Sequence, residues 1–404
     1  MGDFFQNGII TTLHKLPGYK LGDVEDKIRS ISKERKAALL LPSLFNELKE
    51  EALPSIIEEL KGADYIHEVV ISLDGADEEQ FKYAKEFFSV LPTKSTVVWN
   101  DSHPIQDVYE EMREKGLDPG SQGKGRGVWT ALGYILARSE VYMVALHDCD
   151  IRTYSRDILA RLVYPVLSKR LNYDFAKGYY SRVTDMLHGR VVRLFFTPLI
   201  RAFKRIFGHR EFFEYIDSFR YPLSGEISIV IELARRIQFS SDWGLEIEIL
   251  REVYNSTSLS RICQVDLVDR YDHKHQDFNM EDLHSGIMRM AIDIARTFFR
   301  ILSQEGITLT SPLIRTLKLT YIDVARQFVE KYKDEAMMNN LLYDRHRETR
   351  AIEKFSYALE VAANEFSEYP MGSPLTPTWG RIDSAIPDLL DNRLPDIVDE
   401  LNGR

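Results

Sequence analysis

The stretch "ALHDCDI" (145–151) closes an apolar run with two carboxylates two residues apart, Asp148 and Asp150. On an extended chain such residues face the same side, so the pair can converge on a hard cation. Mg²⁺ or Mn²⁺ fits, with water and substrate phosphates completing the shell. Two carboxylates alone make no closed structural cage, and the same tripeptide serves equally as a strand-end turn with solvated acids. His147 and Cys149 alternate with the acids and are expected to face the packing.

Four other stretches carry chemistry of their own. "PGSQGKGRGVWTAL" (119–132) leads glycines into a helix start, where backbone amides and Lys124 would suit an anion. Its spacing is neither a Walker loop nor a dinucleotide fingerprint, and a flexible turn with a helix cap is the plainer reading. "YPLSGEISI" and "DWGLEIEIL" each set a glutamate close to a glycine, although a helical glutamate is usually a solvated face. "DLVDRYDHKHQD" (266–277) spaces His273 and His275 by one residue. With no cysteine nearby and no helical His-Glu-x-x-His, zinc is a poor match. Asp150 and one imidazole sharing Mg²⁺ or Mn²⁺ suits the donors better. In "FAKGYYSRVTDMLHGRVVRL" (175–194), Lys177, Arg182, Arg190 and Arg193 lie among glycines and aromatics. They read either as a pocket for a phosphate or carboxylate or as a basic amphipathic helix.

Elements must bring these residues together. "KAALLLP", "IHEVVISLDGAD", "STVVWND" and "EVYMVALHDCDI" read as strands, the first ended by Pro42 and the second by Asp74-Gly75. "FNELKEEALPSIIEEL", "EEQFKYAKEFFSVL" and residues 124–139 read as helices. This alternation predicts an α/β fold with parallel strands and right-handed crossovers. Ligands then collect at the carboxyl ends of the strands, where Pro42, Asp74 and Asp148 fall. Residues 190–210 are amphipathic and basic, and are expected as a lid. From 280 to 366 the chain is expected to be helical, followed by an extended tail. The expected division is an α/β half (1–151), a more loosely patterned half (152–280) and a helical C-terminal extension (281–404).

The chain's 404 residues, 44% of them hydrophobic, can bury a large core. A net charge of −10 argues against a nucleic-acid partner. Cys149 and Cys263 cannot form a disulfide framework, which fits a reducing cytoplasm. The start "MGDFFQNGII" lacks the features of a signal peptide, and no apolar run is long enough to predict membrane insertion.

Taken in order, "LPSLFNE", "GKGRG", "HDCDI", "HGRVV", "PLSGE", "WGLEI" and "YDHKHQ" resemble the retaining glucosyl-3-phosphoglycerate synthases, a GT-A glycosyltransferase family, over roughly residues 36–280. The resemblance implies a nucleotide-sugar-binding half (1–151) and an acceptor-binding and catalytic half (152–280), with Pro42, Ser43 and Glu47 holding the nucleotide's base and ribose and Asp74 beside the base. Lys124 would face the diphosphate. Asp150 would bind the metal directly with His273, and Asp148 would contact the ribose or reach the metal through water. Gly189 and Arg190, assisted by His275, would hold the phosphoglycerate. Leu223 to Gly225 and Glu246 would line the donor sugar, with Glu246 nearest the reacting hydroxyl. The sequence departs from the family pattern in one extra residue within "LPSLFNE", in Val192 where threonine is usual, and in Asp272.

The implied reaction is metal-dependent glucosyl transfer, with Mg²⁺ or Mn²⁺, from UDP-, GDP- or ADP-glucose to D-3-phosphoglycerate by a homodimer. The product is the precursor of the compatible solute glucosylglycerate. Same-face attack is implied, with the leaving diphosphate taking the acceptor's proton and no covalent adduct on Glu246. The alternatives are mannosyl transfer to the same acceptor, a non-catalytic nucleotide-sugar binder, and a zinc hydrolase built on His273 and His275.

Overall fold

Short apolar runs between polar helices fold into one eight-stranded sheet in the computed structural model, which describes residues 6, 8–138, 140–269, 271–272, 282–372 and 374–404. The strands are β1 (Thr11–Leu13), β2 (Lys36–Leu44), β3 (Glu68–Asp74), β4 (Lys94–Trp99), β5 (Val141–Leu146), β6 (Phe175–Tyr179), β7 (Ile227–Val230) and β8 (Ile262–Asp266). Their order is β1-β8-β6-β7-β5-β2-β3-β4. All neighbours are parallel except β7, which runs antiparallel to both β5 and β6. The expected α/β architecture is thus present, and β2, β3, β4 and β5 are the strands read from sequence. The other four are too short to show a period of their own.

The chain's N-terminal half supplies helices α1 (Leu21–Ser32), α2 (Ala52–Leu60), α3 (Glu78–Phe88), α4 (His103–Glu114), α5 (Lys124–Ala137) and α6 (Arg156–Leu167). The expected long helix after β2 divides into a 3₁₀ turn, Phe45–Lys49, and α2. Downstream come α7 (Thr197–Phe207), α8 (Glu211–Ser218), α9 (Ile231–Ala234) and α10 (Leu245–Ser256). The expected helical extension is α11 (Gly286–Gln304), α12 (Ser311–Met338) and α13 (Arg345–Glu368).

Four expectations are corrected. β2 continues through Pro42 to Leu44. The β5 pairing stops at Leu40, so that flank of β2 carries no ladder where the proline lacks its N–H. β5 ends at Leu146, so Asp148 and Asp150 sit on the following loop and not on a strand. The segment expected as a lid is a π-helical turn, Val191–Phe196, running into α7. Val191, Val192, Leu194, Phe195 and Phe196 are all buried there, which no lid over water could be. Lastly, the tail is not an extended arm: it holds α14 (Trp379–Ala385) and α15 (Leu394–Leu401).

That tail folds back on the N-terminal half. The Trp379 ring stacks on Trp129 of α5 at 4.3 Å, and each indole N–H bonds a carbonyl of the opposite segment, Trp129 O and Pro377 O. Both outer strands of the sheet are closed by amide side chains that imitate a strand. Asn402 accepts from Val97 N–H and donates to Val97 O on β4. Gln6 does the same with Thr12 on β1. Such closure denies an edge to another chain.

Candidate active site

Carboxyl ends of parallel strands leave unpaired backbone and short loops facing one side, and the chemistry-bearing residues gather there. Lys124 opens α5, and its Nζ lies 2.6 Å from Asp148 Oδ1 and 3.6 Å from Glu246 Oε1. Asp148 follows β5, and Glu246 stands in the first turn of α10. One ammonium therefore joins residues almost a hundred positions apart. Burial acts to lower its pKa, yet Asp148 and Glu246 outweigh this and hold it above the ordinary lysine value. About a third of its side chain stays open, so the acid pair and not enclosure sets its charge.

Glycines explain how these parts come so close. A Cβ on Gly125 would meet Ser240 O at 1.8 Å, and one on Gly127 would meet Asp74 Oδ2 at 2.6 Å. Gly125 and Gly127 of "GKGRG" are thus inside α5, letting it touch the loop before α10 and the end of β3. A Cβ on Gly225 would lie 2.6 Å from Asp148 Oδ2. Backbone 223–225 consequently forms a wall directly against the acid. Ser224 Oγ donates to Gly178 O (2.7 Å), and Lys177 Nζ donates to Ser224 O (2.7 Å) from beneath. Burial pulls the Lys177 pKa down to about 8, against the charges of Glu246 and Glu226.

Four further expected residues lie at the ends of β2 and β3 and in the turn between β2 and α2. Pro42 pairs in register with Ser72, and Ser43 is buried beside it. Glu47 accepts the Leu44 N–H at 3.0 Å. Its carboxyl is pushed up to about 7, first by burial, with the charges of Asp150 and Asp148 adding to it. Asp74 is likewise pushed up to about 7 by burial and by Asp101, against the hydrogen bond from Asn100 Nδ2 (3.1 Å).

The acids at this end are the hard oxygen donors that Mg²⁺ or Mn²⁺ prefers. Asp150 and Asp148 raise each other's acidic neighbour Glu47, so negative charge is concentrated where a divalent cation would relieve it. The donor set fits such an ion. Among the described residues no group of three or more metal-ligating side chains forms. His273 and His275 lie outside the described residues. The chain leading to them is placed: Arg152 N–H donates to Asp272 O (2.8 Å), and Asp272 N–H donates to Thr153 Oγ1 (3.0 Å). That docks the segment against the residues following Asp150.

The third expected group, Gly189 and Arg190, caps the π-helical turn. Gly189 adopts φ +70°, a left-handed conformation that favours glycine, and a Cβ there would approach Tyr221 Oη to 3.3 Å. Arg190 Nε donates to Glu348 Oε1 at 2.6 Å. His147 and Cys149 are buried as expected. Burial lowers the His147 pKa to about 4 and raises the Cys149 thiol, and both pack.

The glutamate of "YPLSGEISI", Glu226, is not the solvated face the sequence reading took as usual. It is fully buried at the head of β7, and accepts hydroxyl protons from Tyr180 (2.8 Å) and Tyr271 (2.6 Å), whose rings stack face to face. Burial first, then the charge of Asp148, raises its pKa. The signal available was an acid immediately before the apolar run "ISIV", where an enclosed carboxylate must find donors.

No protein-family model matches the chain. It is 48% identical over 391 residues to a glucosyl-3-phosphoglycerate synthase of Persephonella marina, covering 97% of both chains. It is 35% identical over 392 residues to that of Methanococcoides burtonii, covering 96% of this chain and 95% of the other. A solved structure of the Mycobacterium tuberculosis glucosyl-3-phosphoglycerate synthase, in complex with Mn²⁺, UDP-glucose and phosphoglyceric acid, matches 74% of this chain and 89% of its own, with TM-score 0.53 and 20% identity. The mannosyl-3-phosphoglycerate synthase of Rubrobacter xylanophilus matches 74% and 83%, with TM-score 0.54 and 21% identity. Both structures share the fold.

Proposed function

Because the chain belongs to the glucosyl-3-phosphoglycerate synthase family, we propose that it transfers glucose from a nucleotide sugar to D-3-phosphoglycerate with retention, aided by Mg²⁺ or Mn²⁺. UDP-glucose is the foremost donor, since the M. tuberculosis protein of this fold binds it. GDP- and ADP-glucose present the same diphosphate and sugar. The observation that carries the reading is the Lys124 ammonium held between Asp148 and Glu246. It joins the donor's diphosphate side to the side where the sugar and acceptor would meet.

The roles follow from charge. As the anomeric bond opens, negative charge grows on the departing diphosphate. A lysine at a helix N-terminus is already oriented toward that charge. When bound, the divalent ion supplies further neutralisation of the diphosphate, with Asp150 and His273 as the residues that would hold it. Asp148, paired with Lys124, keeps the ammonium in place between turnovers and stands beside the ribose. Backbone 223–225, braced by Lys177, excludes water from one face of the sugar. Glu246, only 16% exposed and 3.6 Å from Lys124, orients the sugar and the incoming hydroxyl. A double displacement would instead need a carboxylate as nucleophile beneath the anomeric carbon, a role that same-face attack does not ask of Glu246. Pro42, Ser43, Glu47 and Asp74 take the nucleoside, and Gly189, Arg190 and His275 the phosphoglycerate.

The halves 1–151 and 152–280 with the extension 281–404 are the proposed working division. A homodimer in a reducing cytoplasm completes the reading, carried by Leu319, Met337 and Met338 exposed on α12 and by two buried free cysteines. No described helix is long and apolar enough to cross a membrane.

The test is a coupled assay of UDP release with Mn²⁺, UDP-glucose and 3-phosphoglycerate, with product configuration read by NMR. Release that requires the acceptor, an α-configured product and loss of turnover in Asp150→Ala are expected. Preference for GDP-mannose would establish the mannosyl alternative, and a glucosyl adduct trapped on Glu246 would overturn same-face attack.

A further inference from the structure

The loop carrying Gly189 and Arg190 is held by helices that follow it by some 150 residues in the chain. Leu342, in the turn between α12 and α13, donates its N–H to Asp185 O at 2.7 Å and forms a parallel bridge with Met186. Glu348, in the first turn of α13 and only 3% exposed, reaches the loop's other end. Its Oε1 takes Arg190 Nε at 2.6 Å, and its Oε2 lies 3.0 Å from Arg193 Nη2. Arg193 also donates to His188 O (2.8 Å) and Leu187 O (3.2 Å), with its guanidinium over the Tyr332 ring of α12 at 4.8 Å.

A buried carboxylate bridging two guanidiniums is strongly constrained, because removing it leaves buried positive charge uncompensated. Its geometry is also directional. Engaging Arg190 Nε fixes the plane of the guanidinium, and with it the direction in which the Nη groups present donors.

We propose that Glu348 is a positioning residue for the acceptor, so that the α12–α13 hairpin is part of the phosphoglycerate site and not only scaffold. This rests on the acceptor reading of Gly189 and Arg190 given above. Glu348 touches no reacting atom; it acts through Arg190. The anion it serves is the acceptor's, so donor binding should be indifferent to it.

The experiment uses the full chain with Glu348→Gln, Glu348→Asp and Arg190→Ala. Steady-state KM for each substrate, calorimetric binding of 3-phosphoglycerate and the unfolding midpoint are measured. Glu348→Gln is expected to raise the KM and Kd for 3-phosphoglycerate by roughly tenfold, the scale of one lost charge-assisted bond. The KM for UDP-glucose and kcat at saturating acceptor should stay within about twofold. Glu348→Asp keeps the charge on a shorter arm, should give a smaller rise in the same parameter, and carries the test if the Gln variant does not fold. A lowered unfolding midpoint with unchanged acceptor KM and Kd in the Glu348 variants would mean a structural role only, and overturns the inference. If Arg190→Ala itself leaves acceptor binding intact, the acceptor reading falls. If it weakens binding while neither Glu348 variant does, only the present inference falls.

Discussion

Lys124 shows what a residue type can and cannot announce. Its place before a helix, and the acids Asp148 and Glu246 elsewhere in the chain, were visible as local signals. Their convergence on one ammonium was not, because it depends on Gly125 and Gly225 allowing backbones to close on their neighbours. Glu226 was visible beside its glycine, but its burial was not, because its partners Tyr180 and Tyr271 lie some 45 residues away on either side. Asp74 gives a measurable consequence. Its folded pKa stands near 7, raised from 3.8 by burial and then by Asp101. The folded chain therefore keeps a proton that the unfolded chain releases above about pH 4. Its contribution to stability is greatest at low pH and declines as pH rises from about 4 to 7. Asp74→Asn, which keeps the acceptor for Asn100, should flatten that decline and raise the melting temperature near pH 7.5 relative to wild type. A melting difference equal at pH 5 and pH 7.5 would count against this; Glu47, shifted the same way, remains in both proteins.

At the level of elements, β2, β3, β4 and β5 were legible as short apolar runs spaced by the periodic helices read after β2, after β3 and before β5, whereas α4 and α6 were not read. β6, β7 and β8 have four or five residues each, too few to separate a strand from a loop by pattern. They are nevertheless the strands that carry the second half of the site. The loop into β7 holds Gly225, which gives the sharpest test at this scale. Adding one methyl group there places a carbon 2.6 Å from Asp148 Oδ2, so the carboxylate must move. Gly225→Ala should lower kcat/KM by on the order of a hundredfold, the effect of a misplacement of about 1 Å, with the unfolding midpoint little changed. A variant retaining most of its activity would show that the wall and Asp148 are not held in fixed register.

Across the whole molecule, the helical extension was expected, but not that its final part would cross back to the N-terminal half. "PLTPTWGRID" offers no period that points to Trp129, about 250 residues earlier. Trp379 is nevertheless one of the largest fully buried side chains, stacked on Trp129 and filling the space over Gly133. Trp379→Ala should cost about 3–5 kcal/mol, read by denaturant unfolding, and should weaken UDP binding because α5 carries Lys124. Loss of stability without any change in nucleotide affinity would separate the tail from the site.

The closure of β4 by Asn402 has a consequence in time. The two partners are 305 residues apart, and at roughly 5–20 residues per second a ribosome needs about 15–60 s to travel that distance. Throughout that interval β4 exists without Asn402 to fill the Val97 hydrogen bonds, so the growing chain presents this strand edge more openly than the folded one does.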